Sequence, residues 1–354
     1  MISIQNLLQL TLDQSASDLH LITGSPPTLR IQGVLRPVAN EGILTKEVME
    51  EALKIILTTD QFEKLAVNKE IDFSYAFSDK ARFRVNTYTQ MGSLAAAFRL
   101  IPSKIRTIDE LQLPSEFHSF TSLHQGLVIV AGPTGHGKST TLAALIDEIN
   151  QNRGTHIVTI EDPIEFVFHP VKSLISQREM NRDTHSWQMA LRSVLREDPN
   201  IVLVGEMRDQ ETISATITVA ETGHLVFTTL HTNSAAQTVD RIVDVFPDEQ
   251  QDQIKLQLSN SLEAVISQRL IPGIDGKLLV VCELMMATTA IKTAIREGKT
   301  HQIDSIIQVS SEAGMRTLDM SLANMVKNGK VLMETAYQYS NNPDELKRLV
   351  NKSI

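Results

Sequence analysis

The run "GLVIVAGPTGHGKSTTLAALI", residues 126–146, constrains this chain more than any other stretch. It reads as a strand, a tight glycine-rich turn and a helix. Gly132 is followed by four residues and then by Gly137-Lys138-Ser139, the phosphate-loop spacing in the context that spacing demands. Glycines let successive backbone N–H groups curl around a phosphate chain, a conformation that side chains obstruct. The helix that follows adds partial positive charge at its N-terminus. A chance glycine-rich turn would not carry the whole pattern between a strand and a helix. The expected nucleotide contacts are Gly132, Pro133, Thr134, Gly135, His136, Gly137, Lys138, Ser139 and Thr140. Lys138 is expected to reach the β- and γ-phosphates of ATP, and the Ser139 hydroxyl to ligate Mg²⁺. His136 reads as a tolerated loop residue with its side chain outward.

From residue 126 the texture is that of an alternating α/β sheet. "GLVIVAG", "HIVTIED", "NIVLVGE" and "HLVFTTL" are short, apolar and β-branched, and helical patterns such as "STTLAALIDEINQ" separate them. Strands apolar on both faces, alternating with helices, belong to a mostly parallel sheet covered on both sides. Beyond about residue 285 the chain reads as helix, as in "TLDMSLANMVKNGK" with Leu318, Leu322, Met325 and Val326 on one face. Residues 1–100 read as a smaller α+β unit. "TLRIQGVL" is strand-like, and "KEVMEEALKIIL" is a helix presenting Val48, Ala52, Ile55 and Ile56. "IDFSYAF", "RFRVNTYT" and "SLAAAFRL" are strands joined by turns at "SDK" and "QMG". Prolines at both ends mark residues 101–114 as a linker. The expected order is an N-terminal domain at 1–100, the linker, an α/β core at 115–285 and a helical region at 286–354.

Ligands bind at the carboxyl ends of strands in such sheets. "HIVTIEDPIEF" ends in Glu161-Asp162 and adds Glu165, and "DPNIVLVGEMRD" ends in Glu206. Glu206 is expected to hold Mg²⁺ directly or through water. Glu161, on a strand expected to neighbour the phosphate-loop strand, is expected to orient and deprotonate the attacking water. The two roles could be exchanged. Asp162 and Glu165 read equally well as solvated acids capping a strand. "GHLVFTTLH" places Thr228, Thr229 and His231 at the far end of another central strand, where a donor can sense a γ-phosphate. His224 sits at the opposite end, within reach of nucleotide only through a loop or a neighbouring subunit.

Composition narrows the partners. The chain has 354 residues, enough for two domains, and a net charge of −9, which speaks against a broad nucleic-acid footprint. One cysteine, Cys282, allows no intrachain disulfide and no multi-cysteine zinc site. The N-terminus lacks the basic flank and cleavage site of a signal peptide, and no run approaches the roughly 18 apolar residues of a membrane helix. The expectation is a soluble, cytoplasmic protein that does not bind nucleic acid.

The phosphate loop, "TIEDPIEF", "LVGEMRD" and "TGHLVFTTLHTNSA", in this order, resemble the Walker A, Asp box, atypical Walker B and His box of the secretion and pilus ATPases. "ASDLHL", "GSPPTLRIQGVL", "RFRVN" and "AAFRLIP" look like that family's N-terminal PAS-like domain. "AIREGKTHQI" contains Ala294-Ile295-Arg296-Glu297, similar to the AIRE motif of the retraction branch, and Arg296 and Glu297 are the residues expected to link ring motion to a partner. His136 departs from the serine usual in this family's loop. The resemblance implies an α/β protein with a RecA-like P-loop core, a homohexameric ring, ATP with Mg²⁺ between subunits, and a pilus platform protein at the inner face of the cytoplasmic membrane. It further implies arginines donated by the N-terminal domain: by motif position Arg84 and Arg99, with Arg82 and Arg106 as lesser candidates. A guanidinium there would stabilise charge on the transferring phosphoryl group. A RecA-like motor on nucleic acid, an assembly ATPase and a nucleotide-gated binding protein of negligible turnover are the competing readings.

Overall fold

Alternation of apolar and polar residues builds an antiparallel sheet in the N-terminal third of the chain. The computed structural model describes residues 3–78, 81–101 and 104–352. Asp79 and Lys80 of the expected "SDK" turn, and Pro102 and Ser103 of the expected linker, lie outside the described residues. The elements here are α1 (Ile4–Asp13), β1 (Asp18–Ile22), β2 (Thr28–Ile31), β3 (Val34–Pro37), α2 (Lys46–Ile56), α3 (Thr59–Asn68), β4 (Glu70–Phe77), β5 (Ala81–Gln90) and β6 (Ser93–Ile101). The strands pair in the order β3-β2-β1-β6-β5-β4. Leu19, Leu29, Phe73, Val85 and Phe98 fill one face and bury against Leu7 and Leu8 of α1 and Met49 and Leu53 of α2. The opposite face carries a polar row in register: Arg30, Asp18, Arg99 and Arg84 on four successive strands.

Two local expectations change. "TLRIQGVL" is a hairpin rather than one strand. Gln32 and Gly33 have φ of 50° and 81°, and they join Ile31 to its partner Val34. In α2 the inward stripe is Met49, Ala52, Leu53 and Ile56, while Ile55 is 59% exposed. The i, i+3, i+4, i+7 spacing selects that stripe, one position round from the expected one.

The second sheet orders its strands β13-β12-β7-β11-β10-β8-β9. These are β7 (Gly126–Ala131), β8 (His156–Glu161), β9 (Leu174–Glu179), β10 (Ile201–Val204), β11 (Leu225–Leu230), β12 (Leu262–Pro272) and β13 (Leu278–Met286). All neighbouring pairs are parallel except β12 with β13. Every residue of β7, β10 and β11 is buried, as strands covered on both faces require. The helices are α4 (Phe117–Thr121), α5 (Lys138–Asn152), α6 (Trp187–Val194), α7 (Gln210–Glu221), α8 (Ala235–Asp244), α9 (Asp248–Ser261), α10 (Thr289–Arg296), α11 (Ile303–Val309), α12 (Leu318–Lys327), α13 (Met333–Tyr339) and α14 (Pro343–Asn351).

By its contacts the chain divides into two units, Met1–Lys104 with Pro163–Val167, and Ile105–Asp162 with Phe168–Ile354. Most of the expected linker is therefore not free. Ile101 still belongs to β6, and Ile108 and Leu113 are buried. Nor is the helical tail separate. Ile291, Ile295, Ile303 and Ile307 share one core with Leu127 and Ile129 of β7.

β7 lies between β11 and β12. Glu161 ends β8, which is separated from β7 by β10 and β11, so its expected adjacency to the phosphate-loop strand does not hold. Four strands of equal apolarity carry no local mark of their pairing order.

Candidate functional site

β7 delivers the chain into a loop that α5 closes. Gly132, Gly135 and Gly137 have φ of 144°, 80° and 82°, a region side-chain-bearing residues avoid. A Cβ on Gly132 would stand 2.3 Å from the Gln268 carbonyl oxygen, whereas one on Gly135 would meet nothing within 4 Å. The loop is thus pressed against β12 at its start and open at Gly135. Lys138, 7% exposed, donates through Nζ to the carbonyls of Gly132 and Pro133 at 2.8 and 3.0 Å. A buried ammonium over a loop at the N-terminus of a 15-residue helix makes a cradle for phosphate.

His231, just beyond β11, ties this cradle to an acid. Its Nδ1 lies 3.3 Å from Lys138 Nζ and 3.3 Å from Thr134 Oγ1, and its Nε2 lies 3.3 Å from Glu206 Oε1. An ammonium only donates, so in the neutral ring Nδ1 accepts and Nε2 presents its proton to Glu206. Arg208 Nε holds the other oxygen of Glu206 at 2.9 Å. Lys138, His231, Glu206 and Arg208 form one polar line. The neighbouring threonines do not join it: Thr229 donates to the Gly205 carbonyl at 2.6 Å, Thr232 pairs with Thr238, and Thr228 is fully buried.

Glu161 ends the strand next to β10. Gly205 follows the last paired residue of β10, its N–H donating to the Ile160 carbonyl at 2.8 Å, and a Cβ on it would stand 3.4 Å from Glu161 Cα, so the bare glycine lets the two acidic strand ends close up. Glu161 is buried and accepts from Thr159 Oγ1 at 2.7 Å and Gln177 Nε2 at 3.3 Å. Among the described residues no group of three or more His, Cys, Asp or Glu could hold a metal ion. Ser139 and Glu206 offer the oxygen donors that a hard cation takes, too few to hold one without further oxygens from a ligand or water.

Other expected residues fall elsewhere. His224 donates through Nδ1 to the Val219 carbonyl at 3.1 Å. With His124 and Arg153 it lines a cleft of about 460 Å³ where the strands begin, not where the phosphate loop lies. Arg84 and Arg99 are cross-strand partners in the first unit. Arg99 Nε meets Asp18 at 3.0 Å, and Arg84 approaches Glu165 of the Pro163–Val167 segment at 3.9 Å. Arg82 is half-buried in the same unit, and Arg106 is exposed in the other. In the AIRE-like stretch Ala294 and Ile295 are core, while Arg296 and Glu297 face solvent.

His136 is corrected. Its Nδ1 accepts the Leu270 N–H at 2.9 Å, and its carbonyl accepts from Gln268 Nε2 at 2.8 Å, so the ring turns to β12 and not outward. Burial first, then the charges of Arg269 and Lys138, hold its pKa below the usual 6.5. Sequence reading passed over Gln268 and Asp18. The signal was present: "SQR" interrupts an otherwise apolar strand in "AVISQRLIP", and Asp18 stands inside "ASDLHLI".

A family model described as "Type II/IV secretion system protein" matches residues 1–303. The chain is 47% identical over 341 residues to the "Type IV pilus retractation ATPase PilT" of Pseudomonas aeruginosa, covering 96% of this chain and 99% of that one. It is 44% identical over 345 residues to a "Twitching motility protein" of Neisseria gonorrhoeae, covering 97% and 92%. A crystal structure of the pilus retraction motor PilT with bound ADP superposes with a TM-score of 0.92 at 42% identity, covering 98% of this chain and 100% of that one.

Proposed function

The chain belongs to the type II/IV secretion system protein family, and from that membership and the site's geometry we propose that it is an ATP hydrolase that powers retraction of a type IV pilus. The observation that carries the reading is the line from the phosphate-loop lysine through His231 to Glu206. Backbone N–H groups of the loop and the Lys138 ammonium hold the phosphates. Ser139 and Glu206 would hold Mg²⁺, which would supply charge neutralisation for the phosphates. Glu161, fixed by Thr159 and Gln177, orients the attacking water and accepts its proton. His231 touches both the phosphate-binding lysine and the acid, so its ring orientation registers the γ-phosphate. Arg84 and Arg99, held side by side by their register, complete the site of a neighbouring subunit in a homohexamer. No helix among the described residues is long and apolar enough to cross a membrane. A platform protein at the inner face of the cytoplasmic membrane then receives the motion.

Lys138→Ala removes the phosphate-binding charge without touching the apolar core. Phosphate release should fall about 10²–10³-fold, the size of a lost transition-state donor. Cells whose only copy carries this change should keep surface pili and fail to retract them. Normal turnover in the variant would defeat the nucleotide-site reading, and normal retraction the motor reading.

A further inference from the structure

Pairing of β12 with β7 stops at Ser267 and Ala131, because β7 ends there and the chain turns into the phosphate loop. β12 runs on to Pro272, so along Gln268–Leu270 its β7-facing edge has lost its strand partner. A backbone N–H in that position needs another acceptor. The His136 ring supplies it through Nδ1, 2.9 Å from Leu270 N. Two residues earlier the contact runs the other way, with Gln268 Nε2 donating to the His136 carbonyl at 2.8 Å. The Gln268 amide is itself oriented, because its Oε1 accepts from Thr141 Oγ1 of α5 at 2.9 Å. Its backbone carbonyl is the atom that forbids a side chain at Gly132.

We propose that His136 is a positioning residue that latches the crest of the phosphate loop to β12, and that the latch closes only with an unprotonated Nδ1. The proposal rests on the ATPase reading for its kinetic consequence but not for the contact itself. Nδ1 accepts from a backbone amide, so the closed latch is the neutral ring with its proton on Nε2. Protonation turns Nδ1 into a second donor facing the Leu270 N–H, which breaks the contact. The charged groups facing the ring are Arg269 on β12 and Lys138 at the start of α5, and both disfavour the imidazolium. Because the folded-state pKa lies below the usual 6.5, the latch is complete above that value and opens as pH falls through the lowered one. Arg269 is pinned from the other side, its Nη1 donating to the Tyr339 carbonyl at 2.9 Å, so β12 cannot simply follow a loosened loop.

The test uses the full chain as wild type, His136→Asn and His136→Ala. Asn keeps a short acceptor and cannot titrate; Ala removes the acceptor. Hydrogen exchange of the peptide spanning Gln268–Pro272, corrected for intrinsic rates, should show Leu270 protected in wild type at pH 8. Protection should fall about three- to tenfold in His136→Ala, the size of one hydrogen bond. It should fall in wild type, and not in His136→Asn, as pH falls through the lowered pKa. The KM for ATP should follow: the ratio of wild-type to His136→Asn values rises on acidification. His231 is present in both proteins, so whatever it contributes cancels in that ratio. Equal Leu270 protection in wild type and His136→Ala at pH 8, or in wild type at every pH down to the point where the fold itself is lost, would overturn the latch. A pH-independent KM ratio would overturn its link to nucleotide binding. Absence of any ATP turnover by wild type would defeat the ATPase reading alone, since the exchange measurement still reads the latch.

Discussion

Glu161 and Glu206 end neighbouring strands, and their surroundings separate them. Glu161 is buried and accepts from the Thr159 hydroxyl and the Gln177 amide, whereas Glu206 is more open and sits between Arg208 and His231. An acid beside a cationic side chain is suited to holding charge in place; one oriented by a hydroxyl and an amide is suited to aiming a water. Glu161→Gln should therefore trap ATP unhydrolysed, with turnover reduced about 10²–10⁴-fold and binding kept. Glu206→Gln should lower both turnover and Mg²⁺ dependence of binding. Nucleotide retention on filters and steady-state phosphate release separate the two. Wild-type rates in both variants would remove the strand ends from the chemistry. The sequence marked both acids but left their roles exchangeable, because the partners that differ lie on other elements: Gln177 on β9 and His231 beyond β11.

At the scale of elements, β13 reaches the start of α8 through a buried acid. Glu283, 5% exposed, accepts the Ala235 N–H at 2.7 Å. Burial pushes its carboxyl up to about 7, partly offset by that backbone bond. The unfolded chain releases this proton near 4.5 and the folded one near 7, so stability is full below pH 4.5 and declines as pH rises to 7. Glu283→Gln keeps the acceptor and loses the titration. It should gain stability over wild type on going from pH 5 to pH 8, on the order of 1–3 kcal/mol. Thermal melts at the two values measure it, and a constant difference would sink the idea. The last turn of α10 makes a different case. Ala294 and Ile295 lock the helix into the core, while Arg296 and Glu297 reach solvent, Glu297 paired with Lys299 at 2.8 Å. Arg296→Ala should leave ATP hydrolysis within about twofold, as exposed substitutions do, and stop pilus retraction in cells. Unchanged retraction would make the pair an ordinary solvated helix end.

For the whole molecule the test is complementation between subunits. Lys138→Ala keeps Arg84 and Arg99, and the double variant Arg84→Ala, Arg99→Ala keeps the phosphate loop. Each should be inactive alone. Mixed and reassembled, some junctions join an intact loop to intact arginines, and activity should reappear. An arginine acting in trans is worth about 10³–10⁵ in rate in other phosphate-loop enzymes, so sparse junctions are measurable. A verified monomer hydrolysing ATP at the full rate of the ring would place the arginines outside a shared site. Removing Asp18, which holds Arg99 at 3.0 Å and Arg30 at 3.6 Å, should lower any activity that depends on Arg99 without touching the loop.

The phosphate loop, the doubly buried strands and the helical tail are legible in the sequence because each is set within about ten residues. Glycine, lysine and serine at fixed spacing dictate a backbone path, and a run such as "IVLV" dictates a covered strand wherever it lands. What tertiary structure alone decided is which equal strand lies beside which. That order put β11 and its His231 beside the loop and moved Glu161 two strands further off. It also folded the tail into the central core, and it set Arg84 against Arg99 across a register that neither residue encodes. His136 shows the same limit most sharply. As a loop residue it looked free, and only the unequal lengths of β7 and β12 gave its ring an amide to hold.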